Sequence, residues 1–174
     1  YLIPKPQLKR LRFFLSLNMP KNQSLTVAEA QKKLEHYCAY QERCHKEVAD
    51  KLKELGMIPV AIDTIISQLI QDNYLNETRF AQSFARGKFR IKKWGKNRIV
   101  RELKLRYISD YNIKMGMKEI SDTDYESTFY QLFEKRKLEV AHLSKPEQKK
   151  KILSYLSYRG WEHPRIYNAL NELL

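Results

Sequence analysis

Residues 52–62 read LKELGMIPVAI. Gly56 is the residue type best able to close a helix in the left-handed conformation, and Pro59 suits the first turn of the next helix. The stretch is therefore a joint between two helices, and it comes back twice. Residues 103–113 read LKLRYISDYNI, and residues 153–166 read LSYLSYRGWEHPRI, anchored at Leu156. In each, a Leu precedes an Ile by ten positions: Leu52/Ile62, Leu103/Ile113 and Leu156/Ile166. Five positions after each Leu comes an apolar residue at the bend, Met57, Ile108 or Trp161. The anchors are offset by 51 and 53 residues, and a further helical stretch precedes each joint: Val27–Arg43, Thr78–Lys92 and Asp124–Ala141. The expected fold is all-α, three tandem three-helix (helix-turn-helix-like) repeats forming an elongated, curved array. The expected boundaries are 26–74, 75–121 (basic) and 122–174, after an N-terminal extension over 1–25.

Local signals agree. Thr26-Val27-Ala28-Glu29 has the form of a capping box, so a helix starts there and runs to about Arg43. A second helix runs from about Cys44 to Gly56. A third opens at Pro59 with Ile62, Ile65, Ile66, Leu69 and Ile70 on its inner side. The Leu and Ile anchors, with Tyr37, Tyr40, Phe129, Phe133 and Tyr155, are expected in the core. Gly56 and Gly160 read as helix caps. Tyr107 takes the glycine's place at the middle joint, so that helix end should be less ideal. Short alternating runs and hairpin dipeptides, the marks of strands, are essentially missing. Residues 1–18 sit oddly before Met19-Pro20, and the natural protein is expected to start at Met19.

The chain's charge concentrates in one place. Between Arg79 and Arg106 stand eleven basic residues and a single acid, Glu102, out of a net charge of +13 over 174 residues. Phe80, Phe84, Phe89, Ile91, Ile99, Val100 and Leu103 recur among them at helical spacing, so the charges belong to a folded scaffold rather than a tail. Arg98, Arg101 and Lys104 fall on one helix face, and Lys88, Lys92 and Lys93 end the preceding helix, where cations suit its dipole. The candidate binding residues are Arg86, Lys88, Arg90, Lys92, Lys93, Lys96, Arg98, Arg101 and Lys104. Their partner would be DNA phosphates, an acidic protein surface, or both, with salt-dependent and sequence-tolerant binding. Of the aromatics among them, Trp94 beside Gly95 is the candidate for exposure and base stacking. A base-reading helix-turn-helix role is disfavoured, because the helix over 110–119 offers only Asn112 and Lys114 as readers.

Other function classes lack their residues. Only five glycines occur, and no two lie close together, which leaves no phosphate-cradling loop. His36, Cys38, Cys44 and His45 fit no common zinc spacing, and no nucleophile–base–acid set is apparent, so no metal, cofactor or catalytic residue is expected. Asp122 and Asp124 read as residues just before a helix, where capping explains them. Two cysteines suit a reducing cytosol. No apolar run approaches the ~18 residues of a membrane span, and the run after Lys9, Arg10 and Arg12 is too short for a signal peptide. A soluble, cytoplasmic monomer without a membrane partner is expected.

Three motifs carry a resemblance to the RecX recombination regulators. Tyr74-Leu75-Asn76-Glu77-Thr78-Arg79-Phe80-Ala81 is close to that family's G-Y-L-[ND]-D-x-R-F-A signature. Trp94-Gly95-Lys96-Asn97-Arg98-Ile99 resembles its basic G-x-x-R-I helix start, and Tyr158-Arg159-Gly160-Trp161 its R-G-F turn. Asn73, Glu77, Tyr107 and Trp161 depart from the usual Gly, Asp, Gly and Phe. The motif residues are thus Tyr74, Leu75, Arg79, Phe80, Gly95, Gly160 and Trp161, and the match spans roughly Ala28 to Leu174. The resemblance implies a non-enzymatic protein that lies in the groove of the RecA–single-stranded DNA filament. It would oppose filament growth and depress ATPase, strand-exchange and co-protease activity, modulating recombination and the SOS response. The alternative is a general nucleic-acid-binding helical repeat that does not recognise RecA.

Overall fold

The computed structural model describes residues 25–173, so the expected start at Met19 and nearly all of the extension lie outside the described residues. Among the described residues the chain forms nine α-helices and no strand. They are α1 (Val27–Tyr40), α2 (His45–Glu54), α3 (Pro59–Gln71), α4 (Glu77–Lys92), α5 (Lys96–Lys104), α6 (Asp110–Met117), α7 (Asp122–Glu139), α8 (Lys145–Tyr158) and α9 (His163–Leu173). Packing between helices is concentrated within consecutive sets of three, so the chain is an all-α repeat of three units. None of these helices is long and apolar enough to cross a membrane.

The three joints are built alike. Gly56, Tyr107 and Gly160 have φ of 78°, 59° and 83°. At each, the N–H of the turn residue donates to the carbonyl three residues back (Lys53, Lys104, Ser157) over 2.9 Å. The next N–H donates to the anchor leucine: Met57 to Leu52 at 3.1 Å, Ile108 to Leu103 at 3.2 Å, Trp161 to Leu156 at 3.1 Å. This is the Schellman closure of a helix. The five-residue spacing from Leu to the bend is thus a hydrogen-bonding register as well as a packing one, and all six Leu and Ile anchors are buried.

Tyr107 keeps those hydrogen bonds but carries a side chain into the left-handed region. There a non-glycine costs roughly 1–2 kcal/mol, and Tyr107 is 79% exposed, with little packing to offset it. Tyr107→Gly is expected to stabilise the chain by about 0.5–1 kcal/mol, the strain relieved less the entropy glycine adds to the unfolded state. A urea titration checks this; a lower midpoint would mean that the contacts the ring does make outweigh the strain.

The core has two parts. The first unit encloses Ala30, Leu34, Cys38, Val48, Leu52, Ile62, Ile65 and Leu69. The second and third units share one core, from Phe80, Phe89, Ile99 and Leu103 through Tyr125 and Trp161 to Phe129, Phe133, Ile152, Leu156 and Ile166. Cys38 belongs to the first and Cys44 to the second, and both are free thiols. Burial pushes the Cys38 thiol up to about 11 and raises that of Cys44.

Three core expectations are corrected. Ile70, expected on the inner side of α3, is 45% exposed, whereas Ile62, Ile65 and Leu69 are buried. Tyr40 is 87% exposed, because α1 stops at that residue instead of continuing to Arg43. Ile91 is 76% exposed. The buried stripe of α4 is Phe80, Ala81, Ala85 and Phe89, and Ile91 lies about 200° round the helix from Phe89. Phe129 and Phe133 are buried, and Tyr37 and Tyr155 are half-buried. The capping box at α1 is formed, with the Glu29 N–H donating to Thr26 Oγ1 (3.3 Å) and the Thr26 N–H to Glu29 Oε2 (2.9 Å). A second box, Ser144 with Glu147, opens α8 and escaped the sequence reading, although its S-x-x-E spacing is the same. Asp122 and Asp124 stand in the first turn of α7, capped by Ser121.

Candidate nucleic-acid interface

The basic stretch occupies α4, α5 and the bend between them. At its N-terminus α4 is capped by Asn76, whose Oδ1 accepts from the Arg79 N–H at 2.9 Å. α5 has no side-chain cap. Its leading N–H groups are answered by the third unit: Gly95 donates to the Arg159 carbonyl (2.8 Å) and Asn97 to the Gly160 carbonyl (3.2 Å). The Lys96 N–H donates to Tyr125 Oη (2.9 Å), which in turn donates to Glu162. Tyr125 is stacked on Trp161, centroids 4.4 Å apart, and burial holds its phenol well above the usual tyrosine range.

The backbones touch here. A Cβ on Gly95 would collide with the Gly160 carbonyl, and one on Gly160 with Arg98. The motif residues Gly95, Gly160 and Trp161, distant in sequence, form a single joint.

The remaining motif residues join the first unit to the second. Leu75 is buried in the first core and Phe80 in the second, with Tyr74 packed half-buried against the first. The Arg79 guanidinium reaches Glu42 and the carbonyl of Asn73 (2.9 Å). Arg106 makes a second clasp, to Glu102 at 3.0 Å and Glu47 at 3.5 Å. Charged side chains hold this joint, whereas backbone hydrogen bonds and a common core hold the other. A cleft of about 370 Å³ opens beside the first, lined by Glu42, Glu47, Phe84, Lys88, Lys92 and Arg106.

The nine candidate cations divide by what they touch. Arg86 pairs with Glu119 (2.8 Å), Lys96 with Asp122 (3.0 Å) and Lys104 with Asp110 (3.6 Å). Such exposed pairs are worth roughly 0–1 kcal/mol, so a phosphate could displace the acid. Lys88 lies over the rings of Phe84 and Trp94 (5.2 and 5.3 Å). Arg98 serves the joint. Its guanidinium lies 4.1 Å from the Trp94 centroid and 4.8 Å from that of Tyr158, and Nη1 donates to the Tyr158 carbonyl (2.9 Å). Of the expected face, then, Arg98 turns to protein, Lys104 is paired, and Arg101 alone is both exposed and without an ion pair among the described residues. Among the described residues Arg90, Lys92, Lys93 and Arg101 form no ion pair.

Two expectations about base contact change. Trp94 is half-buried, with Arg98 over its ring and Phe84 meeting it edge-on at 6.5 Å, so neither neighbour leaves it free for stacking. Asn112 is also committed: its Oδ1 accepts from Thr78 Oγ1 and its amide donates to Glu77, both at 2.6 Å. The sequence reading had Tyr158 and Arg159 only as part of the turn motif and not among the interface residues, although they form an aromatic-basic run at the end of α8. No group of three or more His, Cys, Asp or Glu able to hold a metal ion occurs among the described residues.

Residues 76–117 match the family described as RecX, second three-helix domain. Proteins called regulatory protein RecX are similar over most of the chain. That of Lactobacillus johnsonii is 30% identical over 72% of this chain and 46% of its own length. That of Bacillus licheniformis is 31% identical over 84% of this chain and 56% of its own. The chain thus spans about half the length of these relatives. The crystal structure of RecX from Lactobacillus salivarius superposes with a TM-score of 0.72 at 26% identity, over 84% of this chain and 96% of the other. A second RecX crystal structure gives a TM-score of 0.75 at 18% identity, over 84% and 73%.

Proposed function

The chain belongs to the RecX family, and on that footing we propose that it is a non-enzymatic regulator of a RecA recombinase. Acting as a cytoplasmic monomer, it binds the RecA filament on single-stranded DNA and opposes filament growth. ATPase, strand exchange and co-protease activity fall as a consequence, and with them recombination and the SOS response. The observation that carries this reading is the set of uncommitted cations on the second unit: Arg90, Lys92, Lys93 and Arg101 have no acid partner among the described residues. A filament of protein on DNA offers both phosphates and carboxylates to such a set. The clasped joints keep the cations in fixed relative positions, which lowers the ordering cost of binding.

The test is RecA's DNA-dependent ATPase on single-stranded DNA, with the chain titrated well below the RecA concentration. Strong inhibition at substoichiometric ratios is expected, because one regulator on a filament acts on many protomers. Competition for DNA alone needs enough protein to cover the lattice. Inhibition appearing only at DNA-saturating amounts would instead identify the general nucleic-acid binder, which the same cations would also serve.

A further inference from the structure

We propose that the outer face of Tyr158 is a stacking seat for an unpaired base of single-stranded nucleic acid. Exposure alone would say little, since single apolar residues at a surface are ordinary. What sets Tyr158 apart is its setting. The ring is 72% exposed at the end of α8, while its neighbours at the joint, Tyr125 and Trp161, are buried. One face is covered by the Arg98 guanidinium, which lies in turn on Trp94. The opposite face is open. Arg98 is tied by Nη1 to the carbonyl of Tyr158 itself, so ring, guanidinium and indole form a fixed pile.

The pile is ordered before anything binds. It stands on the joint where Gly95 donates to Arg159 and Asn97 to Gly160, backbone to backbone. A base arriving on Tyr158 therefore extends an existing stack and orders no loop or side chain. Base–aromatic stacking of this kind is worth most when the platform is already rigid.

The surroundings supply positive charge. Among the described residues neither Arg98 nor Arg159 forms an ion pair, and the Nε of each finds no acceptor. Arg159 lies over Tyr155 at 3.9 Å, on the far side of the same helix end. An open aromatic face beside fixed positive charge suits one unpaired nucleotide, the ring taking the base. In a duplex both faces of a base are already stacked, so the seat discriminates for single strands. An acidic protein partner would satisfy the arginines but would have no use for the ring.

The seat needs no recombinase, so it stands or falls apart from the regulatory reading. The test uses the whole chain, a labelled thymidine 20-mer and a duplex of equal length, followed by fluorescence anisotropy across a salt series. Tyr158→Ala is expected to weaken binding to the single strand roughly 10–100-fold, to leave the duplex unaffected and to keep the salt slope, since no cation is lost. Tyr158→Phe is expected to bind as the original does. Tyr158→Leu keeps an apolar cover over Arg98 but removes the π face. It should bind as weakly as the alanine variant, which separates stacking from any loosening of the joint. Full binding by Tyr158→Leu, equal losses on single strand and duplex, or no binding of the bare 20-mer by the original chain would each overturn the proposal. So would a Tyr158→Ala variant that binds the 20-mer normally yet inhibits RecA less, since the ring would then face protein.

Discussion

Gly160→Ala is expected to lower the thermal midpoint of the chain by about 5–15 °C, at least twice the shift from Gly56→Ala. The two glycines close equivalent joints with φ of 83° and 78° and the same pair of hydrogen bonds. Alanine pays the left-handed strain at both, roughly 1–2 kcal/mol. Their surroundings differ. A Cβ on Gly56 would meet nothing within 4 Å, while one on Gly160 would run into the backbone and Cβ of Arg98. Relieving that collision means moving α5 off the turn, which stretches the bonds from Gly95 and Asn97 and unseats Trp161 from Tyr125. Overpacking of this sort adds about 1–3 kcal/mol, for a total near 2–5 kcal/mol, and each kcal/mol is worth about 2–4 °C in a chain of this size. Because the second and third units share a core, the loss falls on both. Circular dichroism melts of the two variants decide it. Equal shifts would mean that α5 and the α8–α9 turn are not in contact in solution, and the joint described above would have to be given up.

What the sequence disclosed, and what it hid, follows from the range of the signal. The repeat was legible because each joint is local. Leu52, Leu103 and Leu156 receive a hydrogen bond from the residue five positions on, and that residue must be apolar to follow its N–H inward. Tyr107 could be placed in a glycine's position for the same reason, and it has the same sign of φ. The capping box at Thr26 was equally local.

The merging of two units into one core was not legible, since it depends on Gly95 meeting Gly160, a contact with no period. The roles of individual cations were hidden likewise. Helical spacing places Arg98, Arg101 and Lys104 on one face, yet only the approach of the third unit turns Arg98 into a layer between Trp94 and Tyr158. The same approach covers Trp94, whose position at a bend suggests exposure, and leaves Tyr158 outside. Ile91 misled because an apolar residue within a basic helix was counted without its angle around the axis.

The distinction between Arg98 and its neighbours also decides how the basic interface must be probed. Reversing Lys92, Lys93 and Arg101 together to glutamate is expected to abolish inhibition of RecA and to weaken single-stranded DNA binding about 100-fold at 0.1 M salt, with the melting midpoint nearly unchanged. Lys92 and Arg101 are exposed and Lys93 is half-buried at the C-terminal end of α4, none with an ion pair among the described residues, and surface changes of that kind usually alter stability by no more than about 0.5 kcal/mol each. Each lost phosphate contact on a single strand removes about 0.7 from the salt slope, and three together give the 100-fold figure through counterion release. Arg98→Glu is expected to look similar in a functional assay for a different reason. It would set a carboxylate against two aromatic faces and against the Tyr158 carbonyl, forfeiting the cation–π contacts, about 0.5–2 kcal/mol, and leaving that acceptor without its donor, about 1–3 kcal/mol. Its midpoint should therefore fall by several degrees where that of the triple variant does not. Binding and melting measured on both variants separate contact from scaffold. A triple variant that still inhibits fully would move the interface off the second unit, and an Arg98→Glu variant that melts normally would return Arg98 to the list of residues free to meet the partner.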